Sequence, residues 1–198
     1  LAMVFSTLQS GIEHLQQGNF VILTDDQQRE NEGDLVLAAE KATVEKLLFL
    51  ITRGKGIVCV AMEAKRLDAL KIPLMVEQNT DRFSTPFCVS VDAKQGTTTG
   101  VSIQDRLQTI KTLIDPLSKP ENLARPGHVF PLRASPDGLQ GRMGHTEAAV
   151  ELCKKAGLFP AALIVEILNG RGRAASLDEL KAFGAKHRIP ILPLQSLL

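Results

Sequence analysis

Apolar positions recur with two periods along this chain, and the change of period sorts it into helices and strands. Leu8, Ile12 and Leu15 return at helical spacing after Ser6 and stop at Gly18, which predicts an amphipathic opening helix. Phe20 to Leu23 is a short apolar run that ends at the polar stretch Asp25 to Asp34, and Leu35 to Ala39 resumes it. The spacing therefore predicts two strands joined by a polar loop. Thr43 is placed to cap a helix carrying Val44, Leu47, Leu48 and Ile51 on one face and ended by Gly54. Ile57 to Met62 then reads as a buried strand, residues 63 to 70 as a short helix and Phe87 to Val91 as a strand. Ile103, Leu107, Ile110 and Ile114 form the stripe of a longer helix. Val129 to Leu132 and Ala162 to Leu168 are further strands, separated by a helix from Thr146 to Ala156 that Gly157 closes. Ser176 and Glu179 form a capping box, and the proline-containing stretches from 116 to 136 read as loops.

Some of these strands are joined by connections too short for a helical crossover, which excludes a purely parallel doubly wound sheet. The pattern predicts an α+β fold in which one mixed, twisted sheet is covered by helices in a three-layer α-β-α arrangement. A chain of 198 residues that is 44% hydrophobic buries one core, so residues 1–198 are expected to form a single domain. Neither an internal repeat nor a low-complexity tract divides it.

Charge and cysteine content remove whole classes of function. The 23 basic and 22 acidic residues leave a formal charge of +1, so neither nucleic acid nor an anionic membrane is expected as partner. Without Trp or Tyr there are few platforms for stacking bases. Cys59, Cys88 and Cys153 are odd in number and lack C-x-x-C spacing, which excludes a disulfide framework and a structural zinc site and points to the cytoplasm. The start, Leu1 to Phe5, has no charged region followed by a long apolar run, and no stretch is long enough to span a bilayer.

Four constellations carry candidate chemistry. In D-D-Q-Q-R-E-N-E-G-D, the carboxylates of Asp25, Asp26, Glu30, Glu32 and Asp34 crowd around Arg29. A hard divalent cation such as Mg²⁺ relieves that repulsion, whereas a solvated acidic loop is the plain alternative. In R-M-G-H-T-E, Arg142, the backbone N–H groups of a helix start and the Thr146 hydroxyl suit a phosphate, with an ordinary helix cap as the competing reading. His145 in the same motif can complete a metal shell, and imidazole is commoner around Mn²⁺ than around Mg²⁺. Glu166 is the one charge in A-A-L-I-V-E-I-L; it needs a cation, a proton or a cavity, unless one face of its strand is wet. His128, in R-P-G-H-V-F-P-L-R-A, suits proton transfer or is a structural residue at a strand entry. Thr97, Thr98 and Thr99 in G-T-T-T-G-V-S bind a phosphate or form a turn.

Taken together and in order, R-E-N-E-G-D-L-V, G-I-V-C-V, G-T-T-T-G-V-S, R-P-G-H-V-F-P-L-R-A, G-H-T-E-A and the E-I-L-N strand end resemble the 3,4-dihydroxy-2-butanone 4-phosphate synthase family. The resemblance runs from about residue 6 to the C-terminus. It implies a lyase of riboflavin biosynthesis that removes C4 of ribulose 5-phosphate as formate after enolisation and a 1,2-shift. It also implies a homodimer with sites near the subunit interface, two Mg²⁺ or Mn²⁺ ions per site and no organic cofactor. Carried onto this chain, it makes Glu30 and His145 the metal ligands. The substrate-binding set becomes Arg29, Glu30, Asp34, Thr98, Arg142, Met143, Gly144, His145, Thr146 and Glu166. The catalytic candidates are His128, Glu166, Glu32 and Cys59, although an apolar strand makes Cys59 by itself an inert core thiol.

Two segments depart from the family pattern. After E-I-x-N the family continues with an acidic pair, glycine and then T-M-A-R, whereas this chain has Asn169, Gly170, Arg171, Gly172, Arg173, Ala174, Ala175 and Ser176, and Met143 stands where a small residue is commoner. A non-catalytic sugar-phosphate binder that has lost turnover through the 170 to 175 segment is therefore the rival expectation. An RNA- or nucleotide-binding module would need a basic groove, which the balanced charge disfavours.

Overall fold

Side chains alternate across a strand, and here each face carries its own apolar set. The computed structural model describes residues 5–26 and 28–198, so the reading of Leu1 to Phe5 falls almost wholly outside the described residues. Among the described residues seven strands, β1 (Val21–Thr24), β2 (Gly33–Ala38), β3 (Cys59–Glu63), β4 (Val91–Ala93), β5 (Leu123–Ala134), β6 (Ala161–Glu166) and β7 (Ile191–Pro193), form one sheet. Their order is β4-β5-β3-β6-β2-β1-β7. The sheet is mixed: β3 pairs β5 and β1 pairs β7 in parallel, and the other neighbours run antiparallel.

Ile22, Leu35, Leu37, Val60, Met62, Leu163 and Val165 point to one face, where they meet Leu47, Leu67, Ile110 and Leu180. These last come from α2 (Val44–Phe49), α3 (Ala64–Ala69), α4 (Ile103–Ile114) and α6 (Leu177–His187). The intervening residues Val21, Leu23, Val36, Cys59, Ala61, Ala162 and Ile164 point the other way, toward Leu15 of α1 (Leu8–Gln16) and Ala148, Leu152 and Cys153 of α5 (His145–Lys155). Two apolar layers thus sandwich the sheet between helices, the expected α-β-α arrangement. Extending the same alternation places Asp34 and Glu166 on the α5 face.

Several local expectations change in the folded chain. Asp34 belongs to β2 and not to the loop before it. After α2 the chain passes into a π-helical turn, Leu50–Gly54, that sends Leu47 and Leu50 into the core and leaves Leu48 46% exposed. Phe87 and Cys88 make only isolated bridges, to Leu132 and Leu74, and the strand begins at Val91. Most of the stretch read as loops is the twelve-residue β5. Pro126 and Pro131 fit there because β4 is only three residues long and its pairing with β5 shifts register between Val91 and Asp92. The short β7, parallel to β1, has no counterpart in the sequence pattern. No helix is long and apolar enough to cross a membrane among the described residues.

Candidate functional site

The α5 face of the sheet opens into a cavity of about 210 Å³ where β2, β3 and β6 meet the N-terminus of α5. Asp34 and Glu166 are direct cross-strand partners in the β2–β6 pair, so two carboxylates look into it side by side. Glu166 ends its strand half-buried, and its Oε2 accepts a hydrogen bond from the Ile57 N–H at 2.9 Å. Gly56 makes this possible, since a Cβ there would collide with that same oxygen. The lone charge of β6 therefore faces a cavity and holds a backbone donor.

The acidic loop between β1 and β2 supplies the next wall. Its fold is set by Asp25, whose carboxylate accepts from the backbone N–H groups of Glu30 (3.0 Å) and Glu32 (2.9 Å) and pairs with Arg29. That brace aims Arg29, Glu30 and Glu32 into the cavity, where Arg29 Nη1 lies 2.9 Å from Glu30 Oε2. From the opposite side α5 begins with His145, and His145 Nδ1 lies 3.3 Å from Glu30 Oε2. Residues 115 positions apart in the chain are thereby within reach of one cation, and a ligand atom from each of Asp25, Glu30 and His145 lies within 4.8 Å of the other two.

The chemistry of the donor set fits such an ion. His145 Nε2 and Asp34 Oδ1 are buried without a hydrogen-bond partner, and buried polar atoms ordinarily have one. One imidazole among carboxylate oxygens suits Mg²⁺ or Mn²⁺. Crowding of like charge shows in the protonation equilibria. Burial, reinforced by Glu166, Glu32 and Glu30 and opposed by His145, pushes Asp34 up to about 7. Burial alone would lower His145, yet Asp34, Glu30 and Asp25 together raise it to about 9. Burial likewise raises Glu32, with Glu30 and Glu166 adding to it. Glu30 moves the other way: burial would raise it, but His145, Arg29 and Arg142 hold it below its ordinary value.

The start of α5 is open. Its N-cap is Gly144, which offers no capping side chain, and Thr146 sits in the first turn with 2% exposure, so Thr146 is not the helix cap. The free N–H groups and positive dipole end face the cavity beside Arg142 and Thr146. Arg142 is fixed by Glu147 (Nη1 to Oε2, 2.9 Å) and by the Phe83 carbonyl (Nη2, 3.2 Å). Gly144 leaves room for that guanidinium, because a Cβ would strike it.

Nine of the residues singled out from the sequence line this one cavity: Arg29, Glu30, Glu32, Asp34, Cys59, Arg142, His145, Thr146 and Glu166. Four do not. Gly144 shapes the helix start, and Met143 packs its side chain against the apolar layer beneath α5. Thr98 stands apart, donating its hydroxyl to Asp105 at 2.8 Å. His128 lies within β5, not at its entry, and bonds to Asp92, outside the cavity of its own chain. Cys59 does reach the cavity but is 3% exposed, and burial, with Glu166 and Asp34, pushes its thiol far up. Burial there favours the neutral thiol over the thiolate. The apolar part of the lining, Ile57, Phe83, Phe87, Leu132 and Ile164, was not legible as site residues, since nothing separates them from ordinary core or loop positions. The departing 170 to 175 segment is a tight hairpin held by Asn169, whose Oδ1 accepts from Arg171 and Arg173, and it lines no part of this cavity.

The model of the 3,4-dihydroxy-2-butanone 4-phosphate synthase family matches residues 9–198. The chain belongs to that family. It is 46% identical over 196 residues to 3,4-dihydroxy-2-butanone 4-phosphate synthase of Agrobacterium fabrum, covering 99% of this chain and 92% of that one. Its fold superposes with a TM-score of 0.93 on RibBX of A. baumannii, a two-domain 3,4-dihydroxy-2-butanone 4-phosphate synthase, at 39% identity. That match covers 97% of this chain but 56% of the longer protein. A 3,4-dihydroxy-2-butanone 4-phosphate synthase solved in complex with two magnesium ions superposes with a TM-score of 0.90 at 39% identity, covering 98% of this chain and 95% of that one. The expected α+β fold is that of these relatives, and the chain is a synthase of this lyase family, which serves riboflavin biosynthesis.

Proposed function

We propose that residues 1–198 act as one domain that converts ribulose 5-phosphate into 3,4-dihydroxy-2-butanone 4-phosphate and formate, with Mg²⁺ bound between Glu30 and His145. The observation that carries this reading is the 3.3 Å approach of Glu30 to His145 inside a cavity that also holds a helix N-terminus. The substrate phosphate binds the open N–H groups of α5, the Thr146 hydroxyl and Arg142, which Glu147 keeps in place. The sugar hydroxyls extend from there toward Arg29, Glu30, Asp34 and Glu166. When bound, the divalent ion supplies Lewis-acid polarisation of the carbonyl and its neighbouring hydroxyls and offsets the carboxylate charge.

Proton transfer falls to the chain's own groups. Asp34, which burial raises to about 7 in the metal-free cavity, stands beside Glu32 and Glu166, and these carboxyl groups are placed to pass protons to and from the sugar. Phe83, Phe87 and Ile57 supply apolar lining beside these groups. His128 is the remaining catalytic group. Its side chain is 45% exposed and outside its own cavity, which supports a homodimer in which His128, with the G-T-T-T-G loop beside it, serves the partner's site. Two ions per site, acceptance of Mn²⁺, a cytoplasmic location and the absence of nucleic-acid or membrane partners complete the reading. The loss-of-turnover alternative draws no support from the 170 to 175 segment, because that segment lies off the cavity.

The test is formate release from ribulose 5-phosphate by the purified chain with Mg²⁺, abolished by EDTA and by His128→Ala without loss of fold. Absence of formate with every divalent metal tried would overturn the proposal.

A further inference from the structure

The threonine-glycine loop and the β4 bulge have no place in the cavity, yet they converge on one side chain. Asp92, in β4, holds His128 twice: Oδ1 accepts from the His128 backbone N–H at 2.9 Å, and Oδ2 faces His128 Nδ1 at 2.7 Å. The register shift between Val91 and Asp92 turns the carboxylate toward β5. Gly127 packs flat against the Val91 backbone, and its N–H donates to Ser90. Gly100, at φ +94, closes over the pair so tightly that a Cβ would collide with both Asp92 Oδ2 and His128 Nδ1. The loop carrying Gly100 is fixed in turn by Asp105, whose carboxylate accepts from Thr98 N, Thr98 Oγ1 and Gly100 N at 2.8 to 3.1 Å.

We propose that Asp92 is a positioning residue for the reaction. It fixes the ring of His128 in the tautomer with the proton on Nδ1, leaving the Nε2 lone pair to act as base, while the G-T-T-T-G loop serves as the clamp of this pair. The inference rests on the proposed catalytic role of His128. Its logic lies in the acceptor count: an ionised carboxylate offers acceptors to both the backbone N–H and Nδ1–H. An asparagine has one acceptor and one donor. In Asp92→Asn the amide oxygen is drawn to the His128 backbone N–H, and the NH₂ group then faces Nδ1. The imidazole must accept there and carry its proton on Nε2, which removes the base from the reacting side.

The experiment combines ¹⁵N NMR of histidine-labelled enzyme with steady-state kinetics on ribulose 5-phosphate and Mg²⁺. His128→Ala run in parallel assigns the His128 signals among the four histidines. Wild type is expected to show Nδ1–H for neutral His128 and Asp92→Asn to show Nε2–H. For Asp92→Asn, kcat is expected to fall about 10²- to 10⁴-fold, the range for loss of general acid–base catalysis, with KM changed less than about threefold. A purely structural role would lower the unfolding temperature without moving the tautomer. Nε2–H in wild type overturns the proposal even if Asp92→Asn does not fold. Full turnover by Asp92→Asn beside an inactive His128→Ala overturns the role of Asp92 alone, and full turnover by His128→Ala overturns both.

Discussion

Glu147 tests how the proposed phosphate grip is held. Its side chain is fully buried, and its two oxygens take the Ser135 N–H (3.0 Å) and Arg142 Nη1 (2.9 Å), joining the end of β5 to the start of α5. Glu147→Gln preserves shape but supplies one acceptor for two donors, so a buried N–H must face an NH₂ group. Breaking a fully buried ion pair costs about 3–5 kcal/mol. Arg142 keeps 20% of its side chain exposed and still bonds the Phe83 carbonyl, so a loss of about 2–3 kcal/mol is the better figure here. For a chain of this length that corresponds to a fall of about 4–12 °C in Tm. A guanidinium released from its anchor also grips phosphate less well, so KM for ribulose 5-phosphate should rise about tenfold, the equivalent of about 1.4 kcal/mol. Thermal unfolding by circular dichroism and steady-state formate release measure the two effects. A Tm within about 1 °C of wild type together with an unchanged KM would refute the reasoning.

Gly56→Ala drives a methyl group against Glu166 Oε2 and the Glu166 backbone N, and a displacement near 1 Å at a reacting group costs about 10²-fold, so kcat of the folded fraction should drop by that order. Cys59→Ala should keep kcat within about tenfold of wild type, because its thiol is held neutral; a loss of 10³-fold would show that the sulfur takes part in the reaction. Without Mg²⁺, Asp34 and His145 both sit above their unfolded values, so between pH 4 and 9 these two groups bind more protons in the folded chain than in the unfolded one. The stability these two groups contribute to the metal-free protein is therefore present at the acid end and is lost as pH rises through about 7 and then about 9. Saturating Mg²⁺ should flatten that slope, and an unchanged slope in melts at pH 5, 7 and 9 would contradict the assignment.

The sheet was legible wherever a strand had two buried faces. Leu35 to Ala38, Cys59 to Met62 and Ala162 to Val165 are continuous apolar runs, and they form the centre of the fold. It was least legible at the edges. β5 is interrupted by two prolines that a bulged three-residue neighbour tolerates, and β7 is too short and too proline-rich to leave a pattern. The same contrast holds at the site. Glu166 stood out because a charge in an apolar strand must be accounted for, and it does face the cavity. Phe83 and Ile57 carry no such signal, since their role comes from where the chain returns in space. In the threonine loop, composition left an anion site and a turn equally open, and the structure adds what it could not show: Thr98 and Thr97 donate their hydroxyls to Asp105 and to the Ala93 carbonyl.

In the proposed site Glu30 and His145 hold one divalent ion between them. Titration of Mn²⁺, followed by electron paramagnetic resonance of the free ion, measures this directly for wild type, Glu30→Gln and His145→Ala. Second-layer partners of metal ligands are worth 10- to 100-fold in affinity, so loss of either ligand should weaken binding by about 100-fold or more. Wild-type affinity in both variants would contradict the account.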